Sequence, residues 1–276
     1  MHSKKDRIAG QKYLVPSINR AIAILTILAD TEGGLSLSEV AEKLNVPKSS
    51  IFNLLNTLLI HNFVNRDQST NKYSLGMELF HLGSFVVEQM DIRRIAAPMM
   101  HQLVQKTGLT TNLGVMDRGE IVYIDKIECP GPIKIRTRVG SRMGVHCTAL
   151  GKAILAFLPG DERLQVLKEI PLQKKTTNTL VVKEQLLTEL ELTRERGYAL
   201  DFEENELNVR CLASPVLNHE GRVVCAISIS GVMAQVDQES IPQLVEPLLL
   251  AAHALSAKLG YKPTGKPIDP LDYSDS

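Results

Sequence analysis

The sequence predicts an α+β protein with an N-terminal winged helix-turn-helix, a linker helix, and a C-terminal antiparallel sheet with flanking helices. Three observations support this fold class. Apolar residues recur at helical spacing through the first 60 residues, strand-like segments dominate from residue 110 onward, and helical patterns return between and after those strands. The chain has 276 residues, more than a single domain usually contains, so we expect two domains.

The first predicted helix carries an apolar stripe in which residues recur every three or four positions. The stripe consists of Ile18, Ala21, Ile22, Leu25 and Leu28. The segment from Asp30 to Gly34 ends this helix.

Two shorter amphipathic helices follow, separated by a turn at residues 45–47. Ser36 or Ser38 can cap the first of them. Pro47 suits the first position of the second helix because its φ is fixed near the helical value. The predicted buried faces are Leu37, Val40, Ala41 and Leu44 in the first helix and Ile51, Leu54, Leu55, Leu58 and Leu59 in the second.

A hairpin pattern comes directly after the second helix of this pair. Residues 63–66 and 72–75 alternate as two short strands around the polar turn at residues 67–71. Three helices and a hairpin complete a small winged helix-turn-helix domain.

The exposed face of the second helix of the pair is short and polar. Serine, asparagine and lysine side chains near a helix N-terminus can meet phosphates and base edges in a major groove. No acidic residue occurs between Lys43 and Arg66. We therefore expect binding to double-stranded DNA, although a helical hairpin with proline in its turn can show this pattern by chance. The predicted contacts are Ser36, Pro47, Lys48, Ser49, Ser50, Asn53 and Asn56, with Arg66 and Lys72 on the wing.

The charge distribution favours two copies of the domain on DNA. The net charge of the chain is zero, but residues 1–76 hold nine Lys or Arg against six Asp or Glu. This excess is small, and each neutralised phosphate contributes only part of the affinity. We therefore expect a dimer that binds an inverted-repeat operator.

Membrane and disulfide-rich classes are excluded by the residue pattern. No run of about 18 apolar residues occurs, and the first ten residues lack the apolar core of a secretion signal. The four cysteines, Cys129, Cys147, Cys211 and Cys225, show no CxxC spacing. We expect a cytoplasmic protein with reduced thiols and no membrane association.

Two helices are predicted between the wing and the strands. The segment 76–90 reads as a linker helix, and Asp91 caps a further helix that ends at Thr107 and Gly108. Their apolar stripes serve either contacts between the copies of a dimer or packing against the second domain.

Beyond Gly108 the sequence predicts an α+β domain whose helices cover one face of an antiparallel sheet. The predicted strands are Thr110–Met116, Ile121–Ile127 and Ile133–Arg138, a meander, and then the hairpin Cys211–Leu217 and Val223–Ser230. The predicted helices are Ala149–Leu158, Asp161–Ile170, Lys183–Arg196 and Gln238–Leu259. Residues 262–276 are expected to form a disordered tail.

Three separated motifs at residues 145–159, 194–216 and 221–231 resemble the effector domain of IclR-type bacterial transcription regulators, and the helix-turn-helix resembles that family too. The resemblance covers about residues 15–260 in the expected order. It implies a DNA-binding domain at 14–76, a linker helix at 77–90 and a GAF-like effector domain at 91–261. It also implies a dimer or a dimer of dimers.

The resemblance further implies a pocket for a small organic or sugar acid. Ala149 and Leu150 precede Gly151 and Lys152 at the start of a helix, where backbone N–H groups form a ready anion site. Ser228 and Ser230 are one residue apart on a strand, so their hydroxyls face the same side. The carried-over pocket residues are Ala149, Leu150, Asp201, Cys211, Ser228 and Ser230, with Ile135 and Met143 as apolar wall.

Other functions remain as alternatives at this point. A Cys-dependent hydrolase of small molecules, or a metabolite-binding protein with a helical assembly domain, could use Cys211 or Cys147. His146 beside Cys147 could also belong to a metal site, but no spacing predicts convergence of ligands. The lack of aromatic platforms argues against RNA. We expect a regulator, with repression favoured, and no catalytic residue, metal or cofactor.

The chain departs from the family pattern at two places. Asn53 stands on the second helix where an arginine is common, and asparagine suits adenine, which predicts half-sites containing A·T pairs. Gly144 and Val145 stand where the family usually has Pro-Leu, beside the pocket. We expect the effector to differ accordingly.

Overall fold

The computed structural model describes residues 14–88, 91–130, 135 and 137–262. The chain divides into two compact units, with the boundary between residues 90 and 91. Most of the predicted tail lies outside the described residues. Within the described part of the chain, no helix is both long and apolar enough to span a bilayer.

The first unit is a helical domain with a small antiparallel sheet. Its elements are α1 (Pro16–Ala29), β1 (Leu35–Ser36), α2 (Leu37–Leu44), α3 (Lys48–Ile60), β2 (Val64–Arg66), β3 (Lys72–Leu75) and α4 (Met77–Glu88). The strands lie in the order β1, β3, β2. Residues from all three helices of the predicted domain meet in one core with the wing, among them Ile24, Val40, Ile51, Leu55 and Val64.

The apolar stripe predicted on α1 is only partly buried. Leu28 belongs to the core, but Ile18 and Ile22 are 58% and 56% exposed. Ile24 lies one turn before Leu28 on the same face of the helix and is fully buried. Leu25 and Ile27 pack against the same core, so the buried face lies to one side of the predicted stripe.

Local hydrogen bonds and backbone conformation fix both ends of α2. The Ser36 hydroxyl accepts the Glu39 N–H, and the Glu39 carboxylate accepts the Ser36 N–H, which forms a capping box at the start of α2. Asn45 ends α2 in the left-handed conformation that asparagine tolerates. Pro47 is the residue before the first turn of α3, one position earlier than predicted.

Helix α4, which was predicted as a linker helix, begins at Met77 next to the turn that follows α3. The Gly76 N–H donates to Phe63 O at 2.8 Å, and the Glu78 N–H donates to Asn62 O at 3.2 Å. A Cβ atom at Gly76 would lie within 2.8 Å of the Phe63 carbonyl carbon, so only glycine permits this approach.

The second unit is built on a six-stranded antiparallel sheet within the described residues. Its elements are α5 (Asp91–Thr107), β4 (Thr110–Asp117), β5 (Glu120–Ile127), β6 (Arg142–Gly144), α6 (Ala149–Phe157), α7 (Gly160–Glu169), α8 (Lys183–Arg196), β7 (Ala199–Phe202), β8 (Val209–Leu217), β9 (Val223–Val232) and α9 (Ile241–Lys258). The strands lie in the order β6, β5, β4, β9, β8, β7.

The predicted strand Ile133–Arg138 is wrong where it can be judged. Residues 135, 137 and 138 lie in an irregular segment, and the other three positions lie outside the described residues. The ammonium of Lys126 on β5 donates to the carbonyls of Ile135 and Thr137, at 2.8 and 2.7 Å. The strand that pairs with β5 at this edge of the sheet is β6, not the predicted strand.

Helices cover both faces of the sheet, which corrects the expectation of one covered face. Residues 212–216 of β8 are all buried, although successive side chains point to opposite faces. Ala213 packs in the core shared with α6 and α8. On the opposite face, the Leu217 N–H donates to the Ser256 hydroxyl of α9. Continuous burial of this kind marks a strand covered on both sides.

Candidate functional site

The polar face of α3 is open to solvent. Lys48, Ser49, Asn53 and Asn56 are exposed and Ser50 is half-buried, while Ile51 and Leu55 on the other side are fully buried. The buried side chains orient the helix so that its predicted contacts project outward together. Of the other predicted contacts, Pro47 is exposed, but the Ser36 hydroxyl is already engaged in the capping box.

The wing is rigid at its tip because Asp67 organises the turn. Its Oδ1 atom accepts from the backbone N–H and the hydroxyl of both Ser69 and Thr70, at 2.6 to 3.0 Å. These hydrogen bonds lower the pKa of Asp67 to about 2. Arg66 donates to Asn71 Oδ1 at 2.7 Å and lies over the Tyr73 ring. Lys72 is half-buried.

A small cavity in the second unit brings together seven of the eight predicted effector residues. Its volume is about 20 Å³. The lining residues are Tyr123, Ile135, Thr137, Thr148, Ala149, Leu150, Asp201, Asn205, Glu206, Val209, Cys211, Ser228 and Ser230. Met143 is not among them, because it packs against the neighbouring core, where its sulfur contacts Asn205 Nδ2.

Sheet register explains why residues so distant in sequence converge. Asp201 pairs with Cys211 across β7 and β8, and Cys211 pairs with Ser230 across β8 and β9. Ser228 pairs with Asn112 on β4. Side chains opposite one another on neighbouring strands point to the same face, so these groups form two rows on the floor of the cavity.

The N-terminus of α6 forms another wall. The Thr148 hydroxyl caps the helix by accepting the Gly151 N–H at 3.2 Å, and Thr148 O accepts the Lys152 N–H at 3.0 Å. Ala149 and Leu150 are the first two helical residues, whose N–H groups have no partner within the helix. An anion in the cavity would meet these donors and the positive end of the helix dipole.

A buried ion pair lies behind this wall. Lys152, only 1% exposed, forms a salt bridge with Glu204 and lies 3.7 Å from Glu189 of α8. Two acidic residues of the segment 203–206 thus have cationic partners, because Glu204 is buried beside Lys152 and Glu203 pairs with Arg210. The Glu204 N–H also donates to Asp201 Oδ1 at 2.8 Å, which links the ion pair to the cavity.

Asp201 is a buried carboxyl with altered acidity. Burial, and then the negative charge of Glu204, raise its pKa to about 7, although Lys152 and the N–H groups of Glu204 and Asn205 act in the opposite direction. At neutral pH the group can accept or donate a proton in a hydrogen bond. It can thus pair with a hydroxyl of a bound molecule.

This pKa predicts a pH-dependent stability. Between about pH 4 and pH 7 the native state retains a proton that the unfolded state has lost, so the free energy of unfolding falls as pH rises. Asp201→Asn resembles the protonated form and removes this contribution. Between pH 5 and pH 7, we expect the free energy of unfolding, measured in urea, to fall by roughly 2 kcal/mol more in wild type than in Asp201→Asn. If the unfolding free energies of wild type and Asp201→Asn changed with pH in parallel, the raised pKa of Asp201 would be contradicted. Asp161→Asn, at the exposed start of α7, serves as the control.

The cysteines are not arranged as nucleophiles. Burial raises the pKa of Cys147 to about 12 and also raises the pKa of Cys211, so both are thiols at neutral pH. The Cys147 sulfur contacts Gly144 O and Asn205 Oδ1, while His146 Nε2 contacts Gln173 O at 3.0 Å. Burial also lowers the pKa of His146. This geometry does not form the Cys–His pair considered from sequence.

Several residues of the site escaped the sequence reasoning. Asn112, Thr137, Thr148 and Asn205 all have polar side chains in or next to the cavity. Asn112 could have been noticed in the sequence as a polar residue within a predicted buried strand. Only the register of β4 with β9 shows that it lies beside Ser228 and Ser230.

Comparison with known proteins gives consistent results along the chain. A family model described as "Bacterial transcriptional regulator IclR C-terminal" matches residues 84–257, and one described as "IclR helix-turn-helix domain" matches residues 17–68. The chain is 40% identical over 248 residues to the HTH-type transcriptional regulator XynR of Escherichia coli, covering 90% of this chain and 98% of that protein.

Two further relatives extend the comparison. The HTH-type transcriptional repressor AllR of Escherichia coli is 32% identical over 246 residues, covering 89% of this chain and 91% of that protein. The crystal structure of the Thermotoga maritima IclR superposes with a TM-score of 0.76 at 38% identity, covering 89% of this chain and 99% of that one.

Proposed function

Because this chain belongs to the IclR family of bacterial transcriptional regulators, we propose that it is a repressor whose operator binding is controlled by a small organic acid. In this proposal a homodimer binds an inverted repeat through α3 and the wing of each copy. The acid occupies the cavity of the second unit. Membership of the family supports a role in transcriptional regulation. The similarity to the repressor AllR favours repression over activation.

The exposed face of α3 supports the DNA-binding half of the proposal. Lys48, Ser49, Ser50, Asn53 and Asn56 project as donors without an acidic neighbour on the helix. The Ser36 hydroxyl is used to cap α2, so in this proposal Ser36 supports the helix pair and does not contact DNA through that group. Arg66 and Lys72 on the wing contact phosphates in the proposed complex.

The cavity supports the effector half. Its donors are the first N–H groups of α6 and the serine hydroxyls of β9, and its acceptor is Asp201. A carboxylate suits the donors, and a hydroxyl or keto group elsewhere on the same molecule suits the remaining polar groups. We therefore assign the effector to the keto, hydroxy or sugar acids.

Exposed apolar side chains support self-association of the first unit. Leu14, Val15, Ile18 and Ile22 on and before α1, and Met77, Phe80, Leu82 and Phe85 on α4, are between 46% and 70% exposed. Large apolar side chains exposed in groups on a helix are typical of interaction sites. A second copy that covered these residues would place two recognition helices on one operator.

The proposed control needs only a modest coupling free energy. An acid that binds one arrangement of the dimer more tightly than another shifts the population toward it. A difference of about 1–3 kcal/mol changes operator affinity about 5- to 150-fold. The linker helix α4 is the segment through which we expect this difference to act.

A gel-shift experiment tests the proposal directly. The purified protein is incubated with DNA from its own upstream intergenic region, with and without a panel of keto, hydroxy and sugar acids. A specific shift that one acid weakens supports both halves of the proposal. A specific shift that no acid changes rejects effector control, and no shift at low salt rejects operator binding.

Removing a serine hydroxyl should separate effector binding from DNA binding. Ser228→Ala and Ser230→Ala each delete a donor to a charged ligand, so we expect the affinity for the acid to fall about tenfold or more. DNA affinity without acid should stay within about twofold, because the first unit is unchanged. Titration calorimetry and gel shifts measure the two quantities, and equal acid affinity in wild type and both variants refutes the pocket assignment.

The base preference should follow position 53. Asparagine pairs with adenine through two hydrogen bonds, whereas arginine pairs with guanine. Asn53→Arg should therefore move the preference at the contacted base pair from A·T to G·C by about 1–3 kcal/mol. Selection from a randomised operator library measures this, with Asn178→Arg in the other unit as a control. Wild-type selection of guanine at that position contradicts the proposal.

A further inference from the structure

One buried amide holds both serine hydroxyls of β9. The Asn112 Nδ2 atom lies 3.4 Å from Ser228 Oγ and 3.2 Å from Ser230 Oγ, and Asn112 is fully buried. An amide nitrogen carries two hydrogens, so it can donate to both oxygens at once. Each serine oxygen then accepts from Asn112, which leaves its own hydrogen available to another acceptor.

The other end of the Asn112 amide is also engaged. Its Oδ1 atom accepts from the Thr137 hydroxyl at 3.2 Å, and Thr137 lines the cavity. The Lys126 ammonium, whose side chain is buried, donates to the carbonyls of Thr137 and Ile135 and keeps Thr137 against the amide. This arrangement presents the amide hydrogens to the serines.

We propose that Asn112 is a positioning residue that turns the hydroxyl hydrogens of Ser228 and Ser230 toward the ligand, so that the cavity selects a carboxylate over the corresponding carboxamide. This inference rests on the effector role proposed above and adds a determinant of ligand class. A carboxylate presents only acceptors to the two hydroxyls. A carboxamide also presents an NH₂ group, which cannot accept from them.

The Cys211 thiol also faces Ser230 and does not remove this preference. Burial keeps Cys211 protonated, and a thiol sulfur is a weak hydrogen-bond acceptor. A carboxylate oxygen is the stronger acceptor, so it takes the Ser230 hydrogen when a ligand is present.

The test compares acids with their amides by titration calorimetry on the full-length protein. The probes are pyruvate, lactate and gluconate, each with its carboxamide. We expect wild type to prefer an acid by about tenfold or more, because the amide leaves a buried donor unpaired. Asn112→Ala frees both hydroxyls to rotate, so the ratio of acid affinity to amide affinity should fall about tenfold.

A matched variant separates this role from a general loss of packing. Thr111→Ala removes a buried polar side chain from the neighbouring position of β4, which points to the other face of the sheet, so its ratio of acid affinity to amide affinity should stay within about twofold of wild type. Asn112→Asp is nearly isosteric and serves if the alanine variant does not fold. Its carboxylate accepts the serine hydrogens, and the ratio should fall further.

The outcomes distinguish the inference from the proposed function. Unchanged acid-to-amide ratios in the Asn112 variants, or an equal loss in Thr111→Ala, overturn the role of Asn112 while acid binding by wild type stands. If wild type binds none of the three acids, the inference and the effector assignment both fail. A fall confined to the Asn112 variants supports the proposal.

Discussion

Replacing Lys152 with methionine is expected to lower the free energy of unfolding of the second unit by about 3–5 kcal/mol. Lys152 is almost completely buried beside Glu204, and Glu189 lies 3.7 Å from its ammonium. Methionine keeps most of the volume but leaves the Glu204 carboxylate buried without its cation. An uncompensated buried charge costs far more than the net value of the pair.

Thermal and urea unfolding of the full chain measure this loss. The control is Arg222→Met, which breaks an ion pair with Glu162 in which both side chains are at least 40% exposed, and it should cost no more than about 1 kcal/mol. The double variant Lys152→Met/Glu204→Gln removes both charges and should recover much of the stability. A loss in Lys152→Met no larger than in Arg222→Met would show that the pair is not buried in solution.

Adding one methyl group at Gly151 is expected to prevent the second unit from folding stably. A Cβ atom there would lie within 2.6 Å of the Val145 carbonyl carbon and in contact with Val145 O and Cα. These are backbone atoms, which cannot rotate away as a side chain can. The loss of unfolding free energy in Gly151→Ala should therefore be roughly twice the 1–3 kcal/mol that is typical of an overpacked core.

A second glycine provides the matched comparison. Gly160 is the first residue of α7, and a Cβ atom there would meet nothing within 4 Å. Gly160→Ala should leave stability unchanged or raise it by up to about 1 kcal/mol through the unfolded state. Circular dichroism during heating compares the two variants. Near-equal melting temperatures would show that α6 can move away from Val145.

The fold was largely predictable from sequence because its periodicities are strong and local. The spacing of Val40 and Ala41 in α2, and of Ile51 and Leu55 in α3, marks buried faces correctly. The predicted helix Lys183–Arg196 has its observed bounds, since Gly197 adopts a positive φ that ends it. Short edge strands such as β6 and β7 were missed because three or four residues carry too little pattern.

The candidate site was less predictable because it depends on strand register. Family resemblance named Ser228 and Asp201, but it could not show that Asn112 lies beside the serines or that Lys152 is buried. The resemblance also implied Met143 as apolar wall, but Met143 is not among the residues that line the cavity and packs against the adjacent core.

The narrowness of the cavity has a kinetic consequence for the proposed effector binding. A volume of about 20 Å³ holds about one water molecule and is too small for an organic acid. If the proposed acid binds here, we expect it to bind a wider conformation, and the apparent dissociation constant should exceed the intrinsic one by the inverse of the fraction of molecules in that conformation. The observed association rate should level off at high acid concentration, at the rate of widening. Substitutions that loosen the core behind the cavity would then tighten binding without contacting the acid.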